Sequence, residues 1–262
     1  MKFKVDIFTK GKVQDKNKDF FGHNESTFVL ADGSTDKSGN TYSGKTGGEI
    51  ASRVIVETCL SCKLTGSKLV SVLNESLKNV YKNLGIYDRA QKDPVYRFSS
   101  TLVFAGISDK RLNVTVVGDS GFRLNGRNSY CFPKTIDLLT SNARADYITK
   151  TGDIENSREF ILPLLKKQLE YQNNANHVLG YGSIDGIFTP KQFIKEYSFD
   201  MGKIKTVEIF SDGYSSVPLQ VSIKDWERKY KEVEKEDPYK YLKYKSTKNK
   251  DDRTVAIIKF SN

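Results

Sequence analysis

The stretch from Asn17 to Ala51, NKDFFGHNESTFVLADGSTDKSGNTYSGKTGGEIA, constrains the fold more than any other. Asp19 and Asp32 flank a hairpin pattern. Phe20 and Phe21 begin one arm, His23-Asn24-Glu25-Ser26 is a polar turn, and Thr27 to Ala31 is a β-rich return arm. A turn centred near Asn24 and Glu25 carries the return arm back past the start of the first. Asp19 and Asp32 then fall within roughly two residues of each other across the ladder, about 7–8 Å for diagonal neighbours. Gly33 follows the second acid and permits close backbone approach. Two acids at one hairpin end suit a hard divalent cation.

Further acids stand at the ends of other predicted strands. Asp212 ends the run Thr206 to Ser211 and precedes Gly213; Asp251 and Asp252 come just before Thr254 to Ile258. Asp119 follows Val114 to Gly118 and precedes Ser120-Gly121. In an antiparallel sheet the end of one strand and the start of the next share an edge, so these acids are expected at one rim of a sheet. Crowded carboxylates repel one another unless cations neutralise them. Oxygen-only ligation points to Mg²⁺ or Mn²⁺ rather than zinc. Asp before Gly is also ordinary turn chemistry, so the argument rests on the recurrence of the pattern.

The remaining chain reads as strands and helices in alternating groups. Glu49 to Leu60 and Ser67 to Leu84 are helical, the second with Leu69, Val72, Leu73, Leu77, Val80 and Tyr81 at core spacing and Gly85 as a stop. Arg97 to Ile107 and Leu112 to Val117 form a hairpin. Phe122 to Leu124 and Ser129 to Phe132 extend it into one antiparallel meander that carries Asp119. Ser141 to Thr151 has no clear assignment, Ile154 to Tyr171 is helical with Pro163 against an uninterrupted start, and Ile223 to Glu234 is a helix with a charged face. Asp185 lies in a turn-rich segment. Helical pairs between groups of hairpins give an α+β chain with antiparallel sheets. With no repeat and no linker, residues 1–262 are expected to be a single domain.

Composition narrows the function. Mean hydropathy is −0.52, and no run of 18 apolar residues or signal peptide occurs, so a cytoplasmic protein without a membrane span is expected. Cys59, Cys62 and Cys131 are expected to be reduced packing thiols, since the lone C-x-x-C lacks a second ligand pair for zinc. The formal net charge is +10. The basic residues are dispersed apart from a cluster at Lys240, Lys243, Lys245, Lys248 and Lys250, interleaved with Tyr239, Tyr241 and Tyr244. That cluster is read as a solvated loop near the site, attractive to acidic substrates; nucleic-acid binding rests on charge alone. The glycine-rich loop Ser34 to Thr46 lacks the spacing of a nucleotide-binding loop.

Taken in order, the segments NKDFFG, VLADGSTD, GGEIAS, FSSTLVFAGI, VTVVGDSGFRL, VEIFSDGYSS and KDDRTVAIIKF resemble the motifs of metal-dependent Ser/Thr protein phosphatases of the phosphatase 2C family, in the form seen in its bacterial branch. The resemblance spans nearly the whole chain. It implies a four-layer α-β-β-α sandwich with two central antiparallel sheets. It implies a two-metal centre of Mg²⁺ or Mn²⁺ held by Asp19, Asp32, Asp212, Asp251 and the Gly33 carbonyl, with Asp119 at an accessory third site. A water bridging the two metals would attack phosphoserine or phosphothreonine in a protein, with no covalent intermediate. Phosphoprotein substrates and a cognate kinase are the implied partners, and a monomer is expected.

Three positions depart from the family pattern. Lys18 stands where a Glu often precedes the first Asp, Gln14 where a phosphate-gripping Arg is common, and Ser34 where a His follows the Asp-Gly as general acid. Lys12, Lys16 or Lys18 would have to replace the Arg charge, without its bidentate fork, and His23 the acid. The departures keep open the alternative of a weak or inactive pseudophosphatase acting as a regulatory protein-binding module.

Overall fold

The computed structural model describes residues 2–13 and 16–261; Gln14 therefore lies outside the described residues. Along the chain come β1 (Lys2–Lys10), β2 (Asp19–His23), β3 (Thr27–Asp32), α1 (Gly47–Ser61), α2 (Gly66–Asn83) and α3 (Tyr87–Lys92). Then follow β4 (Leu102–Ser108), β5 (Arg111–Val117), β6 (Gly121–Leu124), β7 (Asn128–Tyr130), α4 (Thr135–Thr151), α5 (Ser157–Phe160) and α6 (Leu162–Lys167). The chain closes with β8 (Lys195–Asp200), β9 (Thr206–Phe210), α7 (Ile223–Glu236) and β10 (Arg253–Ser261).

Two five-stranded antiparallel sheets form, one in the order β1-β10-β9-β6-β7 and the other β2-β3-β4-β5-β8. Two runs of consecutive apolar residues explain why these sheets are stacked. In β3, Phe28 and Leu30 point into the space between the sheets, while Val29 and Ala31 meet the helices outside. In β10, Ala256 and Ile258 share that inner space, while Val255 and Ile257 pack against Trp226 of α7. A strand buried on both faces cannot alternate apolar with polar residues, and these two do not. The layers are therefore α1 and α2, sheet, sheet, and α7, the architecture expected from the resemblance.

Local chemistry sets the helix ends. α1 starts at Gly47, earlier than the sequence pattern predicts, because Thr46 and Glu49 form a reciprocal cap: the Thr46 N–H donates to Glu49 at 2.8 Å and the Glu49 N–H to the Thr46 hydroxyl at 3.4 Å. In α2, Leu69, Leu73, Leu77 and Tyr81 are buried on one stripe, whereas Val72 is 37% exposed and is not core. Gly85 (φ +66°) ends the helix in the left-handed region.

Three sequence expectations are corrected and one unassigned stretch, Ser141 to Thr151, is placed. Arg97–Thr101 is not strand; β4 begins at Leu102, and Ser100 makes isolated bridges to Gly33 and Ile184. Ser141 to Thr151 belongs to α4. Ile154 to Tyr171 is broken into α5, α6 and a 3₁₀ turn, with Pro163 in the first turn of α6. Finally, β5 and β6 are not one meander: they lie in different sheets. Gly118 (φ +89°) turns the chain between them, so Asp119 sits where it crosses from one sheet to the other. The three cysteines are free thiols. No helix among the described residues is long and apolar enough to cross a membrane.

Candidate metal centre

Asp19 and Asp32 meet because their strands pair in register: they are direct partners across the β2–β3 ladder, closer than the diagonal pair expected from sequence. The turn is Asn24 to Ser26, closed by the Asn24 side-chain oxygen, which accepts from the Ser26 and Thr27 N–H groups at 3.0 and 2.9 Å. His23 is therefore the last residue of β2, not part of the turn. It is exposed, with Phe3 and Phe28 against its ring. At strand rise it stands about 13 Å from Asp19, at the wrong end of the ladder for a proton donor.

The Ser-Ser-Thr segment fixes Asp32. The Ser100 hydroxyl and the Thr101 N–H donate to the Asp32 carbonyl at 2.8 and 2.9 Å, and the Asp32 N–H donates to the Thr101 hydroxyl at 3.2 Å. Thr101 in turn shares a 2.7 Å hydrogen bond with Ser120, beside Asp119. Gly33 is required for packing: a Cβ there would lie 2.2 Å from the Gly48 carbonyl oxygen, at the start of α1.

Asp212 follows β9 and Asp251 precedes β10, and these strands are antiparallel neighbours. They belong to the other sheet. The acids thus gather between matching rims of two stacked sheets, not at one rim of a single sheet as expected. Ser211 joins the halves, its hydroxyl donating to Asp19 Oδ2 at 2.7 Å and accepting from the Thr254 N–H at 3.0 Å. The other Asp19 oxygen, Oδ1, is buried and has no hydrogen-bond partner. Asp252, by contrast, closes the loop before β2, accepting from the Lys12 N–H at 2.8 Å and pairing with Lys18 Nζ at 3.3 Å. Asp185 is buried among Arg97 (3.2 Å) and Gln172 (3.0 Å) and serves packing.

Burial and mutual repulsion disfavour charge on the acids. Burial, opposed by the Ser211 hydrogen bond and reinforced by Asp251, pushes the Asp19 carboxyl up to about 6. Burial, Asp19, Asp212 and Asp251 raise Asp32 well above the usual carboxylate range. Asp212 opens onto the cleft, yet lost hydration, Asp251 and Asp119 push it up to about 7. One cation already answers them. Lys248 pairs with Asp251; burial works against its charge, but Asp251, Asp212 and Asp32 outweigh that and raise its pKa. Asp119 pairs with Lys134 at 2.8 Å. Accordingly, no group of three or more His, Cys, Asp or Glu among the described residues is drawn together in metal-holding geometry.

The late basic cluster is thus not a uniformly solvated loop: Lys240 is buried beneath the Tyr230 ring and Lys248 enters the acid group. Sequence reasoning also missed Ser211, although its place directly before Asp212 was a usable signal. Asp32, Asp119 and Asp212 open onto a cleft of about 650 Å³ whose lining also includes Gly33, Ser34 and Lys248. Neither His23 nor His177, the chain's two histidines, lines it. Hard oxygen donors, an orphaned buried carboxylate oxygen and acids raised by burial and then by mutual repulsion fit a divalent cation.

A sequence model of the family described as Protein phosphatase 2C matches residues 10–244, most of the chain, ending before Asp251. No curated protein matches by sequence. Among solved structures, the serine/threonine phosphatase Stp1 from Staphylococcus aureus is 18% identical, with TM-score 0.50, covering 100% of this chain and 96% of that one. The Mycobacterium tuberculosis serine/threonine phosphatase PstP/Ppp is 15% identical, with TM-score 0.52 and 99% of each chain covered. The catalytic domain of PstP in complex with two manganese ions is 15% identical, with TM-score 0.51 and 99% of each chain covered. At these identities the likeness carries the fold alone.

Proposed function

We propose, from the premise that the chain belongs to the protein phosphatase 2C family, that it hydrolyses phosphoserine and phosphothreonine in proteins, with residues 1–262 acting as one domain. Asp19, Asp32, Asp212, Asp251 and the Gly33 carbonyl would hold two Mg²⁺ or Mn²⁺ ions, and Asp119 a third. When bound, such ions lower the pKa of a shared water and carry charge on the leaving oxygen. The observation that supports this reading is the in-register Asp19–Asp32 pair with its orphaned buried oxygen. Ser211 orients Asp19, and Ser100 and Thr101 hold the Asp32 backbone. Lys248 keeps the acids partly neutralised before the cation arrives. The substrate side of the reading is a phosphoprotein, opposed by a serine/threonine kinase, met by a monomer in the cytoplasm.

A second reading, a regulatory module without turnover, is favoured by Lys248 among the acids and by Ser34 where a proton donor would stand. Hydrolysis of a phosphothreonine peptide by metal-stripped protein, titrated with Mn²⁺ and then Mg²⁺, separates the two. Metal-dependent turnover that falls at least about a hundredfold in Asp212→Asn is expected. Metal binding without turnover favours the regulatory module, and unchanged turnover of the variant at limiting metal removes the site assignment.

A further inference from the structure

Two half-buried cations on the cleft have no carboxylate partner among the described residues. Lys37, in the loop after Gly33, donates only to the Thr35 carbonyl, at 3.2 Å. Arg158, in α5, donates to the Thr247 carbonyl at 2.6 Å. Of the other cleft cations, Lys134 is committed to Asp119 at 2.8 Å, Lys243 to Glu236 at 2.7 Å and Lys248 to Asp251, while the exposed Lys245 donates to the Asn142 side-chain oxygen at 2.9 Å. Both unpaired side chains line the same cavity as Asp32, Gly33 and Asp212.

Their electrostatic state is that of cations awaiting an anion. Burial, then Lys134, Arg158 and Lys248, push the Lys37 ammonium down to about 8; burial and Lys37's other neighbours find no full counterweight in Asp137. Burial likewise lowers the Arg158 guanidinium, with Asp251 and Asp137 opposing it. Unpaired charge removed from water is costly and is relieved by a bound counterion. The lysines that the sequence offers in place of the absent N-terminal arginine do not stand here. Lys18 is paired with Asp252, and neither Lys12 nor Lys16 lines the cleft.

We propose that Lys37 and Arg158 together hold a phosphoryl group of the substrate, taking over the grip that the residue at position 14 lacks. The inference rests on the phosphatase reading. Arg158 supplies a planar fork and Lys37 a point charge for one dianion.

The test combines calorimetry of inorganic phosphate binding with KM at saturating Mn²⁺, for a singly and a doubly phosphorylated threonine peptide. Lys37→Met and Arg158→Met are compared with Lys78→Met, a half-buried lysine on α2 that lies off the cleft and is paired with Glu75, as the control for charge. Phosphate affinity is expected to fall about tenfold in each cleft variant and not in the control. Arg158→Lys, which keeps the charge, is expected to recover part of the loss and carries the test if Arg158→Met lowers the melting temperature. A raised KM for the singly phosphorylated peptide identifies the group held as the one cleaved; a raised KM for the doubly phosphorylated peptide alone identifies a neighbouring phosphate. Phosphate affinity and both KM values within twofold of wild type in Lys37→Met, Arg158→Met and Arg158→Lys would overturn the proposal. Calorimetry needs no turnover. Lost phosphate binding in a protein that never turns over therefore removes the phosphatase reading alone, and normal turnover with unchanged phosphate binding removes the subsite alone.

Discussion

Asp19→Asn tests whether the acid group is built at the expense of stability. In the metal-free fold the Asp19 carboxyl is raised from 3.8 to about 6, first by burial. Each pH unit between those values is worth about 1.4 kcal/mol, so ionising Asp19 in the folded state costs about 3 kcal/mol relative to the unfolded chain. The sign follows from proton linkage. Between the two values the folded state binds more protons, so stability is full below the unfolded value and is lost as pH rises through the folded one. Asparagine removes that loss and still offers an oxygen to Ser211, which donates to Asp19 at 2.7 Å. Without metal at pH 8 the variant should therefore melt higher, by roughly 6–12 °C at about 2–4 °C per kcal/mol for a protein of this size. At pH 4 the two should converge. Mn²⁺ at about a thousandfold excess over Kd should reverse the order, because wild type then gains about 4.1 kcal/mol, more than the variant's advantage, and the variant loses a ligand. Thermal denaturation from pH 4 to 8, with chelator and then with Mn²⁺, reads all three. An advantage for the variant that is equal at pH 4 and pH 8, or no advantage at pH 8, would refute the reasoning.

Lys248→Met removes the ammonium that pairs with Asp251; calorimetry should show Mn²⁺ affinity rising about tenfold, for loss of one charge-assisted competitor, and an unchanged affinity would mean that Lys248 does not compete. Gly33→Ala places a Cβ 2.2 Å from the Gly48 carbonyl oxygen and should lower stability by about 1–3 kcal/mol through the shift of α1, read by urea denaturation; wild-type stability would mean the loop yields freely. His23→Ala should leave turnover within about threefold, since the residue stands at the far end of its strand, and a loss of a hundredfold would restore it as a proton donor.

The hairpin, the strand-end acids and the strands β3 and β10 were legible because their signals are local. Period-two side-chain direction and turn residues act within a few positions. α4 was illegible because its apolar residues do not make one buried stripe: Ile136 and Ile148 are buried while Leu138 and Leu139 are 57% and 50% exposed. The separation of β5 from β6 was illegible too, since a tight turn at Gly118 serves a hairpin as well as a crossing between sheets.

The sequence by itself determined which carboxylates stand at strand ends, the Asp-Gly step beside them and the order of motifs that marks the family. Tertiary structure alone decided that the acids meet between two sheets and that Ser211 reaches Asp19 across 192 residues of chain. It also decided that Lys248 turns in toward the acids while Lys37 and Arg158 meet only backbone carbonyls, with no carboxylate partner among the described residues. The reason is physical. Strand pairing and turns follow from neighbours along the chain, whereas stacking two sheets and distributing charge around their shared rim depend on groups far apart in sequence, whose energies exist only after the layers close.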